Sequence, residues 1–307
     1  MIRVITAAAA VAAVAHAALT PADHKRIDEI TGVRGFWVET ESVYRVHVPR
    51  NDVQATVDRA VLPPFMGLTS WAAFTSGART EAMLMGDLVL LEDEVNPVMS
   101  AALDAGLDVT ALHNHFFYDS PRIMFMHISG EGRLDALARG VRRCVDRVRS
   151  VRAGSPAPAA AFRTPELPAV NSISAAPLDR IFKRSGQAQN GMYKQTIGRA
   201  AHMHDRAIGA AMGVNTWAAF AGTDTDAVVD GDFAMLSTEV TPVLKKLRSA
   251  NINIVAIHNH MTHEEPRYVF LHYWGRGRAA DLARTIRAAL DLLAPDQRGP
   301  RVGGHEH

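Results

Sequence analysis

Three histidines occur twice in this chain at the same spacing. ALHNHFFYDSPRIMFMHISGEG (111–132) and AIHNHMTHEEPRYVFLHYWGRG (256–277) agree at ten of 22 positions, and His113, His115 and His127 return as His258, His260 and His272. On an extended strand His113 and His115 share one face and Asn114 takes the other. A hairpin centred on Ser120 sets His113 opposite His127, with opposed Cβ atoms ~4.5–5.5 Å apart; the same symmetry about Glu265 sets His258 opposite His272. Three converging neutral imidazoles suit Zn²⁺, Cu²⁺ or Ni²⁺ better than Mg²⁺ or Ca²⁺. A one-residue slip in either hairpin would send the third ring to the far face. The plainer reading is a set of half-buried rings bonded to backbone. Retention of all three while Phe116/Met261 and Ile128/Tyr273 diverge favours a site.

Carboxylates placed to complete such a site also come in matched pairs. Asp119 and Glu264 occupy the turn, and Glu94 and Glu239 precede a helix. Either pair offers a fourth ligand, or a general base if Zn²⁺ lowers the pKa of bound water. The duller roles are turn chemistry for Asp119 and dipole pairing at the helix start for Glu94 and Glu239. Arg122 and Arg267 are candidates to clamp an anionic ligand or to pair with Asp119 and Glu264. His202 and His204, in HMHD, have no counterpart in the first copy and are secondary candidates. GGHEH at the end reads as a tail.

The repeat extends well beyond the histidines. GLTSWAAF (67–74) matches GVNTWAAF (213–220), and GDLVLLEDEVNPV (86–98) matches GDFAMLSTEVTPV (231–243). Two copies of this size describe a duplicated domain rather than a solenoid. VYRVHV, VQATVDRAVL, TSWAAFTS and AMLMGDLVLL have strand character. Asn96 as N-cap, Pro97 at the first helical position and Gly106 at the end then frame a helix, written again as Thr241, Pro242 and Asn251. DVTALHNH and PRIMFMHI follow as strands, then an amphipathic helix over 132–150. The expected fold is α+β: two tandem ββββαββα copies, each a mainly antiparallel sheet with helices on one face, related by a pseudo-twofold axis. Because HNHMTHE resembles a cupin pattern, two cupin-like barrels are the alternative. The copies are expected at 23–152 and 177–294, joined by an Ala/Pro/Ser-rich linker (153–176) and followed by a tail (295–307). Trp71/Trp217 and Phe74/Phe220 read as core anchors.

MIRVITAAAAVAAVAHA has a positive start, a short apolar run and a small-residue cleavage site, so 1–17 reads as a secretory signal with the mature chain starting near Ala18. No run is long enough to span a bilayer. With 33 basic and 32 acidic residues the chain is near neutral, and it lacks the basic stripe a nucleic-acid partner requires. The single cysteine, Cys144, falls on the apolar side of the last helix of its copy and reads as an inert buried thiol. With no cysteine at the cleavage site, the exported protein is expected to be soluble, in the periplasm or outside the cell. Its oligomeric state is left open.

The motifs SWAAF, MGDLVLLEDEVNPVMS, VTALHNH, SPRIMFMHI, VNTWAAFAG, VVDGDFAML, INIVAIHNHM and EEPRYVFLHYWG resemble those of the bacterial LppY/LpqO envelope proteins, over both copies. The resemblance implies an envelope location and carries no established activity. The lipid anchor of lipoprotein members does not transfer, because the anchoring cysteine is absent. The leading expectation is an exported protein binding a transition metal through both histidine trios. The alternatives are a metal-free envelope module for a small anionic ligand, a zinc-dependent hydrolase, or a structural protein whose histidines only fill space.

Overall fold

The computed structural model describes residues 18–162 and 164–294; the expected signal segment 1–17 and the tail 295–307 lie outside the described residues. The first half runs α1 (Pro21–Thr31), β1 (Phe36–Val38), β2 (Val43–Pro49), β3 (Ala55–Val57), β4 (Ala60–Leu62), β5 (Thr69–Ser76) and β6 (Ala82–Leu91). It continues with α2 (Glu92–Asp104), β7 (Asp108–His113), β8 (Asp119–Ser120), β9 (Ile123–Gly132) and α3 (Leu134–Gly154). The second half repeats the plan with α4 (Ala175–Phe182), β10 (Gln187–Gln189), β11 (Met192–Gly198), β12 (Ala201–Met203), β13 (Arg206–Ile208) and β14 (Asn215–Gly222). It ends with β15 (Ala227–Met235), α5 (Ser237–Arg248), β16 (Asn253–His258), β17 (Val269–Gly277) and α6 (Ala279–Leu290).

Twelve of these strands form one sheet in the order β1-β2-β5-β6-β9-β7-β16-β17-β15-β14-β11-β10. The order reads the same from either end, so the pseudo-twofold passes between β7 and β16, which pair antiparallel through Leu112 and Ile257. The two copies therefore share a sheet rather than each closing its own. Cupin-like barrels do not form: among the described residues the sheet stays open, with β1 and β10 as its edges.

One face of the sheet carries the helices. Ile27, Val98, Val141, Leu178, Val243 and Ile286, one from each helix, belong to a single buried cluster with Val46, Phe74, Leu90, Leu112, Met126 and Ile128 of the sheet. Cys144 lies in it, 0% exposed, and burial pushes its thiol up to about 12, so it carries no thiolate near neutral pH. Alternate residues of the same strands face the other way. There Val89, Leu91, Ile123 and Phe125 meet the small sheet β4-β3-β8 in a separate cluster, and Ala234 and Phe270 form the second-half counterpart.

Three expectations need correction. VQATVDRAVL is not one strand of the main sheet. Asp58 and Arg59 take positive φ (48° and 65°) and fold it into the β3–β4 hairpin. Each half also opens with a helix that the ββββαββα plan lacks. Thr20 caps α1 by accepting from the Asp23 N–H, while Asp23 accepts from the Thr20 N–H. Finally, α2 starts at Glu92, not at an Asn96 cap. Three acidic residues fill its first turn, and Pro97 sits inside the helix, giving up one i→i−4 bond. Asn96 instead crosses the seam. Its amide donates to Ile254 O (3.1 Å) and accepts from Ile254 N (2.7 Å).

Candidate metal centre

Both histidine trios lie on the sheet face away from the helices, and the hairpins that present them are not centred where symmetry about Ser120 and Glu265 puts them. His127 pairs with Ala111 and His113 with Phe125; His272 pairs with Ala256 and His258 with Phe270. A bulge follows Val109 in β7 and Ile254 in β16. The shift is two residues, an even number, so every ring keeps its face. The third histidine becomes a diagonal neighbour instead of a direct one. Ring centroids remain 5.2 Å apart for His113–His127 and 5.0 Å for His258–His272.

His115 and His260 fall just past the ends of their strands, where backbone pairing no longer orients them. Stacking does so instead. His115 lies on Phe125 at 3.3 Å and 6°, and His260 on Phe270 at 3.5 Å and 9°. In the second half one ring nitrogen from each of His258, His260 and His272 lies within 4.8 Å of the others, a group that could hold a metal ion. Among the described residues no other set of three meets that spacing, the first trio included.

Hydrogen bonds fix how the second trio points. His272 Nδ1 is 3.3 Å from Gly231 O, and His258 Nδ1 is 3.3 Å from Asn259 O. A carbonyl oxygen only accepts, so Nδ1 carries the proton in both rings, and the neutral form of each keeps its lone pair on Nε2. The Nδ1 side of His260 lies beside Gly213, and its Nε2 is 3.3 Å from Asp232 Oδ2. Gly231 is obligatory beside these groups. A Cβ there would sit 2.1 Å from the Tyr273 hydroxyl, which donates to Trp217 O. Burial holds His258 and His260 below the ordinary histidine value, as it does His115.

Asp232, with its counterpart Asp87, is the site residue that sequence reasoning missed. Each is buried on β15 or β6, directly across from His272 or His127. Burial pushes the Asp232 carboxyl up to about 6, against the opposing pull of His272, the Leu271 N–H and His258. Oδ1 of Asp87 is buried with no hydrogen-bond partner. The signal was legible: GD precedes each hydrophobic run in both copies, at 86–87 and 231–232. Trp71 and Trp217 also belong here rather than in the core. They pair with Asp87 and Asp232 on this face, with Arg45 and Lys194 over their rings at 4.1 and 4.5 Å. Phe74 and Phe220 are the core members.

The other expected residues lie elsewhere. Glu94 is fully buried; it accepts from Arg50 (2.7 and 2.9 Å) and from the Leu91 N–H (2.9 Å), and it forms an ion pair with Arg152, 2.8 Å away. Glu239 accepts from Arg199, Leu236 N and Ala294 N. These carboxylates close helix starts and neutralise buried arginines, so they are not in the group that could hold a metal. Asp119 accepts from Ile123 N (2.6 Å) and Glu264 from Tyr268 N (3.1 Å), the same turn contact in both copies. His202 bridges Glu265 through its backbone, and His204 lies 5.5 Å from the His263 ring. Arg267 is exposed and reaches Thr262 O at 3.4 Å. Arg122 stands 3.8 Å from Glu92, not beside Asp119.

Residues 25–147 and 176–292 each match the family described as Domain of Unknown Function (DUF1259). The chain belongs to the DUF1259 family. Each DUF1259 segment spans one half of the sheet and contains one histidine trio with its aspartate. No curated protein matches the chain. Among solved structures, a trimeric bacterial microcompartment shell protein, PduB, is similar over 83% of this chain and 89% of its own at 12% identity. Its TM-score of 0.21 carries no argument about fold or assembly. No described helix is long and apolar enough to cross a membrane.

Proposed function

We propose that this DUF1259 protein is exported and binds a transition metal, Zn²⁺, Cu²⁺ or Ni²⁺, through His258, His260 and His272, with Asp232 as the fourth group. His113, His115, His127 and Asp87 form the equivalent, looser centre. The observation that carries the reading is the Nδ1 bonding. Two rings are anchored through Nδ1 to main-chain carbonyls and the third leans the same side on Gly213. That is how proteins orient imidazoles for metal at Nε2. His260 Nε2 and Asp232 Oδ2 stand 3.3 Å apart, a contact that either a proton on Nε2 or a bound cation between them satisfies.

Histidine and carboxylate donors in this number suit the three metals named. Burial holds the His258 and His260 pKa values below the ordinary histidine value, so uptake should extend to lower pH than at a site of ordinary histidines and fail as protons compete on further acidification. Any water-activating chemistry would draw on Asp232, because Arg50, Arg152 and Arg199 hold Glu94 and Glu239.

Untagged protein, dialysed and loaded with Zn²⁺, should retain between one and two equivalents by elemental analysis. Retention of none would sink the reading. Export draws support from the signal-like 1–17 and from the LppY/LpqO-like motifs. Mass spectrometry of fractionated cells should find a chain starting near Ala18 outside the cytoplasm, and an intact Met1 chain in the cytoplasm would refute it.

A further inference from the structure

Beyond the bridge between Leu112 and Ile257, the first residues of β16 have no β7 partner and are held to the first half by α2, through the two Asn96–Ile254 hydrogen bonds. They leave a gap beside α2 and the start of β9. A cavity of about 800 Å³ occupies it, within the ~300–1,000 Å³ usual for sites that take small organic ligands. Both halves build its walls. Val95 and Met124 come from the first, and Val255, His272 and Trp274 from the second. Residues 159–162 of the connecting segment complete it. That segment is tied down at Asp93, whose Oδ2 accepts from the Ala159 N–H (3.0 Å) and from Arg152. The connection occurs once per chain, so this cavity breaks the pseudo-symmetry that the histidine trios obey.

The lining is mainly apolar with a few charged groups. Among them Arg122 is the available cation: its guanidinium is more than half exposed and only loosely paired, 3.8 Å from a Glu92 that is equally exposed. An apolar body against Val95, Met124, Val255 and the Trp274 ring, with an anionic head at Arg122, satisfies both features. We propose that the cavity binds one apolar organic anion per chain, a carboxylate on an aromatic or branched hydrocarbon body, beside the His272 end of the metal centre. This goes beyond the metal reading and does not depend on it.

2-Naphthylacetate, titrated calorimetrically into the full chain, should bind with one equivalent. Val255→Trp, at a half-exposed position that fills the cavity, should weaken it at least ~10-fold, and Arg122→Ala by a similar factor. Metal content should not change in either variant, so loss of metal binding and loss of this site read out separately. Should Val255→Trp misfold by circular dichroism, Ala160→Trp blocks the same space from the connecting segment. Two equivalents, no binding at millimolar probe, or unchanged affinity in the filled variants overturns the proposal. Glu92, Asp230 and the Arg152-paired Asp93 also face the cavity, so 2-(2-naphthyl)ethylamine is the matched counter-probe. Tighter binding of that amine than of the acid overturns the anionic assignment.

Discussion

Glu239→Ala and Glu94→Ala should each destabilise the fold by about 3–5 kcal/mol while leaving the metal centre intact. Each glutamate is the counter-charge of a buried arginine. Arg199 is 1% exposed and Arg50 is 3% exposed, and removing the glutamate takes the two-bond carboxylate partner from each buried guanidinium; Arg50 keeps Asp52 at 2.9 Å, so Glu94→Ala should fall at the lower end of the range. Each carboxylate also accepts a backbone N–H just before its helix, Leu91 or Leu236, so the cap is lost as well. Chemical denaturation checks the magnitude, and elemental analysis checks the metal. A variant of normal stability that no longer holds metal would return these carboxylates to the site. Acid separates the roles further. Burial alone would raise the Glu239 pKa, but Arg199 and the Ala294 and Leu236 N–H groups hold it below the usual glutamate value. Its contribution is therefore complete above the unfolded pKa of ~4.3 and lost as pH falls through the folded value. Glu239→Gln should flatten the decline in stability below about pH 4.

His258→Ala with His260→Ala should lower metal affinity at the second centre by roughly 10³-fold or more, since two of three imidazole donors go. Stability should change little, because both side chains sit at a strand end on the open face of the sheet and both are partly exposed. Asp232→Asn tests the remaining group. Affinity should fall about 10–100-fold, as for a lost partner that tunes a site, while the metal-free fold gains stability near neutral pH because a buried charge is gone. The paired double variant His113→Ala, His115→Ala should remove at most the weaker equivalent. A second-centre variant that keeps full metal content assigns the metal elsewhere.

Much of this was legible in the sequence because duplication supplied its own comparison. The histidine trio, the strands at 69–76 and 82–91, and the helix closures at Gly106 and Asn251, with φ of 82° and 57°, were read directly. What failed did so for identifiable reasons. Hairpin centre was inferred from symmetry about Ser120, whereas the pairing of His113 with Phe125 centres it on Asp119, and nothing local in HNHFFYDSP announces that. Asn96-Pro97 carries a helix-start signal strong enough to hide the true start, where Glu94 reaches back to Leu91. The helix at 21–31 had a full signature in Thr20, Pro21, Asp23 and Gly32, but it adjoins a leader-like segment and was passed over. Asp87 and Asp232 sit inside strands, where a buried carboxylate contradicts the hydrophobic pattern. That conflict was itself the pointer to function. Arg50 and Arg199 gave no such signal, since the partners they neutralise are about 40 residues away in sequence.

The most direct test of the metal centre is anomalous scattering from crystals of the Zn²⁺-loaded full chain. The account predicts a peak about 2.0–2.1 Å from Nε2 of His258, His260 and His272, with an Asp232 oxygen completing a tetrahedron. A peak bound through the Nδ1 atoms, or well-ordered rings with no peak between them, would contradict it.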